Sequence, residues 1–407
     1  MAALAIPYIL HNASVEVFGI LTMIWALIGY FSLFDFGLGR ALTQIVAREI
    51  VRGSGHAPLG VIKSGIFFTM ILGILGGLLF ACLSYPLAFF WMKVSSGLQL
   101  DAFQSLIVAS AGIPFVTTTT GYRGVLEGFE DFKTINLFRA LLGVANFGLP
   151  ALSIWILGPE LIWMVVGLVA ARGIALWVHH HLVKARLGLH WWSKAEVEGG
   201  KLKELVHFGA WMTISNIISP VMVVADRFII SAILGASVVA YYTVPMEMLQ
   251  RVLIVPGALA GVLLPRLSGL WESDPWNARR LYKKSMILLF IGMAVIAGAL
   301  ILSSNLILGL WIGDEFAKNS SLLFSILSVG IFFNGIAQVP FATIHSLGSA
   351  RPTAILHLLE VFIYILFILL LTRDFGLIGA AWAWTGRVGI DFILLTMVAG
   401  RMMKAYR

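Results

Sequence analysis

Long apolar runs separated by short polar connections fill almost the whole chain. A run of about 18 or more apolar residues has the length of a membrane-spanning helix. Such runs fall near 17–39, 61–91, 102–122, 135–157, 160–183, 206–233, 238–265, 285–312, 321–345, 353–372 and 376–399. A shorter run, Met1 to Leu10, precedes them, so the pattern predicts about twelve spans with a clipped first one. No connection is long enough to fold as a separate domain. The expected class is all-α: a polytopic membrane protein.

Composition narrows this further. Hydrophobic residues make up 59% of the chain, charged residues 12%, and mean hydropathy is +0.94. A soluble domain carries about a quarter charged residues, so that class is excluded. Abundant Gly (41) and Trp (13) suit close helix packing and aromatic belts at the interfaces. The lone Cys82 lies in an apolar run and forms no internal disulfide.

The net charge of +8 points to membrane orientation and not to nucleic acid. Even-numbered connections and the C-terminal tail carry 22 of the 28 basic residues, with Arg172 counted among them although it lies within a span. Odd-numbered connections carry Lys93, Lys318 and Arg373, while Arg227, Arg251 and Arg387 lie inside spans. The positive-inside rule then places both termini of a multi-pass membrane protein in the cytoplasm. The longest connection, Val183 to Leu205, contains His190-Trp191-Trp192 before a Lys/Glu-rich stretch. It reads as an interfacial cytoplasmic helix or as a plain linker.

The two halves repeat. Ala13-Ser14-Val15 recurs as Ala236-Ser237-Val238, Gly128 pairs with Gly348, and Arg172 pairs with Arg387. Six spans per half make the repeat parallel. The expected organisation is an N-terminal lobe at 1–184, a linker at 185–205 and a C-terminal lobe at 206–407. About 28 residues precede the Ala-Ser-Val corner in the second half and 12 in the first. This predicts a truncated first helix, from a misassigned start codon or a truncated product.

Arg172 and Arg387 sit deep in their runs, in Val165-Val-Gly-Leu-Val-Ala-Ala-Arg172-Gly-Ile and Ala380-Ala-Trp-Ala-Trp-Thr-Gly-Arg387-Val-Gly-Ile. An arginine at that depth costs several kcal/mol unless it faces a wet cavity or a partner. Its recurrence predicts a polar cavity between two rocking lobes, which is a transporter architecture. Duplication also builds inert scaffolds and channels.

Three segments carry a family resemblance. They are Phe34-Asp-Phe-Gly-Leu-Gly-Arg-Ala-Leu-Thr-Gln-Ile-Val-Ala-Arg-Glu49, then Tyr122-Arg-Gly-Val-Leu-Glu-Gly-Phe-Glu-Asp-Phe-Lys133, then Asp226-Arg-Phe-Ile-Ile-Ser-Ala-Ile-Leu-Gly-Ala-Ser-Val-Val-Ala-Tyr-Tyr242 with Leu263-Leu-Pro-Arg-Leu-Ser268. In order and spacing the chain resembles the Wzx-type oligosaccharide–lipid flippases of the superfamily that also holds the multidrug and toxin extrusion transporters. The resemblance implies a 12-to-14-span fold, alternating access and a polyprenyl-pyrophosphate-linked oligosaccharide as substrate. It implies no cofactor. Membrane lipid and the polymerase and glycosyltransferases of the same pathway are the expected partners.

Under that resemblance the intramembrane charges take roles. Arg172, Arg387, Arg251, Arg139 and Arg227 are candidate substrate contacts. Glu247, Asp226, Glu360 and Asp391 are candidate ion-coupling acids. Glu247 and Arg251, at i and i+4, share a helix face. They read as a cavity-facing pair or as a self-neutralised pair, flanked by Pro245 and Pro256. Asp226 and Arg227 point about 100° apart and are not expected to pair directly. Arg139 is placed to receive a phosphate on loading. Glu360 is placed to hold a proton or cation, or to pair with an arginine. Asp391, four residues after Arg387, is expected to neutralise it, which ranks Arg172 first as phosphate anchor.

Asp35, Arg40, Arg123 and Glu127 read as salt bridges and headgroup contacts at cytoplasmic ends. His179-His180-His181 reads as interfacial and not as a metal site. Gly73-x-x-x-Gly77, Gly124-x-x-x-Gly128 and Gly257-x-x-x-Gly261 read as close-packing signals. The competing function is a cation-coupled multidrug antiporter of the same fold, which should favour intramembrane acids; here acids and bases are balanced. A membrane enzyme would need a sizeable periplasmic loop, and the longest here is about ten residues. No G-x-x-x-x-G-K-[ST] loop is present, so an ion gradient and not a nucleotide is the expected energy source.

Overall fold

The apolar runs are helical, and the helices outlast the runs. The computed structural model describes residues 1–30, 38–51, 59–188, 190–194, 225–349 and 351–405. The chain forms two compact units, Met1–Pro220 and Val221–Arg407. The first contains α1 (Ala2–Asn12), α2 (Val15–Tyr30), α3 (Leu38–Val51), α4 (Leu59–Pro86), α5 (Gln99–Gly128), α6 (Phe132–Leu157), α7 (Leu161–Leu187) and the single turn α8 (Trp191–Lys194). The second contains α9 (225–234), α10 (Val239–Gln250), α11 (Ile254–Ser273), α12 (Pro275–Trp311), α13 (Asp314–Ser346) and α14 (Arg351–Ala405). Among the described residues there is no strand, and eight helices are long and apolar enough to cross a membrane.

Helix α14 counts twice. Gly376 takes φ 60° and ψ −141°, a conformation open to glycine, and breaks the helix into limbs 351–375 and 377–405. The limbs fold back on each other, because the Arg387 guanidinium lies 5.1 Å from the centre of the Tyr364 ring.

Three sequence expectations need correction. Of the span expected at 17–39, α2 covers the described part to Tyr30 and residues 31–37 lie outside the described residues, while α3 (Leu38–Val51) is a helix that hydropathy leaves as a connection. Leu38, Leu42 and Val46 bury one stripe of α3 at i, i+4 spacing. Helix α12 starts at Pro275 and not near 285, because Asp274 caps it. Its Oδ1 accepts from the Asn277 N–H at 3.0 Å, with proline in the first turn. The third glycine motif is open among the described residues, where a methyl group at Gly257 or Gly261 would meet nothing within 4 Å. The first part of the span expected at 206–233 lies outside the described residues.

Packing follows the small residues. In the first unit α5 is central, against α3, α4 and α7; in the second α13 holds that place, against α11, α12 and α14. A Cβ at Gly73 would collide with Thr117 on α5, and one at Gly124 with the Gly39 carbonyl on α3. One at Gly128 would lie 2.7 Å from Val46. The threonine run on α5 does not signal a wet cavity. Thr117 donates to the Ile113 carbonyl (2.9 Å), Thr119 to Phe115 (2.6 Å) and Thr120 to Thr117 (2.7 Å).

Loop ends are pinned by carboxylates. Asp101 on α5 accepts from the Leu161 and Ile162 N–H groups at 2.9 and 3.1 Å, capping α7 from another helix. Asp131 caps α6 and meets Arg186 at 3.3 Å. Hydrogen bonding from Thr134 and the nearby guanidinium hold its carboxyl below the usual carboxylate range. In the short α8, Trp191 is buried with Ile62, Ile66, Tyr122 and Val183, and Lys63 donates to the Trp192 carbonyl at 2.9 Å. The described part of this connection is therefore docked on α4 and α5.

The repeat is written in the backbone. Left-handed residues recur at each corner: Lys93 with Gly313, Glu130 with Gly348, and Gly158 with Gly376, which are 220, 218 and 218 positions apart. Side-chain packing repeats with them. Phe115 lies over Gly173, and Phe333 over Gly389.

These contacts separate two kinds of glycine. Gly124→Leu is expected to destabilise the protein by more than the 1–3 kcal/mol typical of about one overpacked site, because backbone of α3 blocks the new side chain. Gly257→Ala should shift stability by less than about 0.5 kcal/mol. Thermal unfolding in detergent checks both; equal shifts would contradict the packing described.

Candidate functional site

The charges buried in the second unit converge on one network. Asp226 and Arg227 start α9, and both are nearly fully buried. Their side chains diverge, as adjacent helical positions require. The Asp226 carboxylate accepts from the Tyr242 hydroxyl at 2.9 Å and from the Arg227 N–H at 2.7 Å. Arg227 reaches Glu247 on α10 instead, at 2.7 Å.

Glu247 therefore has two arginines. Arg251, one turn on, approaches its other oxygen at 3.7 Å. The closer pair joins residues 20 apart, so the i, i+4 pair expected from sequence is the weaker half of a triad. Arg251 opens a 3-10 turn, Arg251–Leu253. Pro256 cannot donate to the Val252 carbonyl, so the helix tightens there between α10 and α11.

Helix α14 supplies the rest. Glu360 and Tyr364 lie on its first limb, and Arg387 and Asp391 on its second. Arg387 lies over Tyr364 and within electrostatic reach of Asp226 and Glu360. Asp391 Oδ1 lies 3.6 Å from His357 Nε2 on the first limb. Glu360 is 5% exposed, and neither of its oxygens has a hydrogen-bond partner among the described residues. Beside it lies a cavity of about 310 Å³ between the limbs, with Glu360, Tyr364 and Arg387 as its polar residues and Ile363, Phe367 and Trp382 among its apolar walls.

The first unit holds a simpler arrangement. Arg172 on α7 donates through Nη2 to Asn146 Oδ1 on α6 at 2.9 Å. Its Nη1 is buried with no hydrogen-bond partner among the described residues. Asn146 and Tyr364 are 218 positions apart, the offset of the corners, so each unit sets its arginine against the equivalent neighbouring helix. Arg139 corresponds at that offset to His357, and its side chain is exposed on α6.

The remaining groups have structural partners. Arg123 meets Glu127 at 3.6 Å, and Thr43 donates to Glu127 at 3.2 Å. Asp35 and the Arg40 side chain lie outside the described residues. His179 and His181 bond the carbonyls four residues earlier, and His180 bonds the Tyr122 hydroxyl at 2.8 Å. Sequence reasoning missed Asn146, Tyr242, Tyr364 and His357. Only His357 left a signal, the His-x-x-Glu spacing that puts it on one face with Glu360.

The ion pairs predict a stability pattern. Glu247→Leu strands a buried Arg227 and should cost about 3 kcal/mol. Arg227→Met combined with Glu247→Leu should recover most of that loss. Chemical unfolding in detergent measures both, and simple additivity would contradict the pairing.

Comparison with known proteins gives this geometry its context. Residues 1–271 match the family model described as polysaccharide biosynthesis protein. A Shigella flexneri protein whose name proposes O-antigen transport is 33% identical over 413 residues, covering 99% of this chain and 95% of that protein. An inward-facing multidrug resistance MATE transporter of the MOP superfamily matches with a TM-score of 0.86 at 14% identity, over 100% of this chain and 94% of that one. The lipid II flippase MurJ in an inward closed conformation matches with a TM-score of 0.75 at 14% identity, over 100% and 87%. These two likenesses show the fold. The chain belongs to the polysaccharide biosynthesis protein family.

Proposed function

We propose that this protein moves a polyprenyl-pyrophosphate-linked oligosaccharide across the bacterial inner membrane by alternating access of its two lobes, with both termini cytoplasmic. The observation that carries this reading is Arg172. A guanidinium held inside an apolar helix by one neutral amide, with Nη1 buried and unpartnered, is a poor structural investment and a good anion receptor. A pyrophosphate head carries at least two negative charges, and passing it through hydrocarbon needs such donors. The relative named for O-antigen transport supports the substrate class over the multidrug alternative.

An ion gradient supplies the energy in this proposal. Among the candidate acids, Glu247 is held by two arginines and Asp226 by Tyr242. Glu360 accepts no hydrogen bond among the described residues, which favours it as the coupling acid.

Arg172→Ala is expected to abolish surface polysaccharide while the protein still reaches the membrane. Arg172→Lys should retain part of the activity, since a point charge still attracts phosphate. Surface polysaccharide at equal protein level is the measurement, and a wild-type amount in the alanine variant would refute the anchor role.

A further inference from the structure

Three metal-binding side chains meet where the limbs of α14 face each other. His357 and Glu360, three residues apart, share a face of the first limb, and Asp391 comes from the second. One ligand atom from each lies within 4.8 Å of both others. Glu360 is 5% exposed, and both its oxygens lack a hydrogen-bond partner among the described residues. Asp391 Oδ1 is buried and lies 3.6 Å from His357 Nε2, beyond hydrogen-bond distance. Two buried carboxyl groups this close cannot both stay ionised unless a proton or a cation lies between them.

We propose that His357, Glu360 and Asp391 bind a divalent transition-metal cation, such as zinc or manganese. The donor set decides the class. Two carboxylates balance a dication, and an imidazole nitrogen selects transition metals over sodium or potassium, which take oxygen ligands. Bonds of roughly 2.0–2.2 Å set donors about 3–3.5 Å apart, so binding draws the three side chains in by about an ångström. Three protein ligands leave a coordination position for water, which the adjoining cavity of about 310 Å³ can admit. Arg387 lies 5.1 Å from the centre of the Tyr364 ring and within electrostatic reach of Glu360. The ion would clamp the two limbs across the Gly376 break. This site rests on the geometry of α14 and not on the identity of the transported substrate; with the cation bound, Glu360 acts in coupling by holding that ion and not by taking a proton.

The test uses the full purified chain in detergent, stripped with chelator and titrated with Co²⁺, which reports coordination through its visible absorption. One saturable equivalent with tetrahedral or five-coordinate bands is expected, together with a rise in unfolding temperature and displacement by Zn²⁺. His357→Gln and Asp391→Asn should each weaken binding about tenfold or more. Variants that elute as folded protein by gel filtration are compared, and Leu359→Ala, on the same limb, is the control that should bind normally. No saturable binding to wild type, wild-type affinity in both ligand variants, or displacement of Co²⁺ by a modest excess of Na⁺ would overturn the proposal. None of those results bears on whether the protein moves lipid-linked oligosaccharide.

Discussion

The cost of a charge in hydrocarbon governs this molecule. A lone guanidinium or carboxylate deep in a membrane is worth several kcal/mol against folding. Some buried charges are compensated within their own unit: Arg227 by Glu247, and Asp226 by the Tyr242 hydroxyl. Where compensation is incomplete the structure has kept the cost. Arg172 has one amide partner with Nη1 left over, and Glu360 faces a cavity with both oxygens unused. Those two groups are where the fold holds chemistry it does not need for stability.

Duplication explains how the two places arose. Both units set an arginine from one helix against the same position of its neighbour, Asn146 in the first and Tyr364 in the second. The same ring-on-glycine contact, Phe115 with Gly173 and Phe333 with Gly389, fixes the helix that carries each arginine. The copies then diverged. In the first, Arg172 has a neutral partner, Asn146. In the second, Asp226 and Glu360 lie within electrostatic reach of Arg387. Under the proposed function the first half takes the anionic substrate and the second the coupling charge.

Much of this was legible in the chain because hydrocarbon imposes simple rules on sequence. Apolar runs gave the crossings, and a matching arginine in each half gave the repeat. Helix ends were harder. The Asp274-Pro275 start is a readable cap, but hydropathy alone looks past it to the apolar stretch beyond. Helix α3 escaped because its buried stripe is narrow and its other faces are polar. Partners were hardest of all. Glu247 has Arg251 one turn away in sequence, and the residue it holds most closely lies 20 positions upstream on another helix. His357 reaches Asp391 because Gly376 reverses α14, and no local pattern announces that contact.

The account turns on gradient energy acting through Glu360. Moving one charge across about 100 mV is worth about 2.3 kcal/mol, enough to bias a two-state equilibrium nearly fiftyfold. The direct measurement is leaflet exchange of lipid-linked oligosaccharide in liposomes holding the purified protein, with an ion gradient imposed and no nucleotide present. The account predicts that the gradient accelerates exchange at least tenfold in the wild type. It predicts that Glu360→Gln binds substrate but ignores the gradient. Exchange that is indifferent to the gradient and requires ATP, or a Glu360→Gln protein that responds as the wild type does, would contradict it.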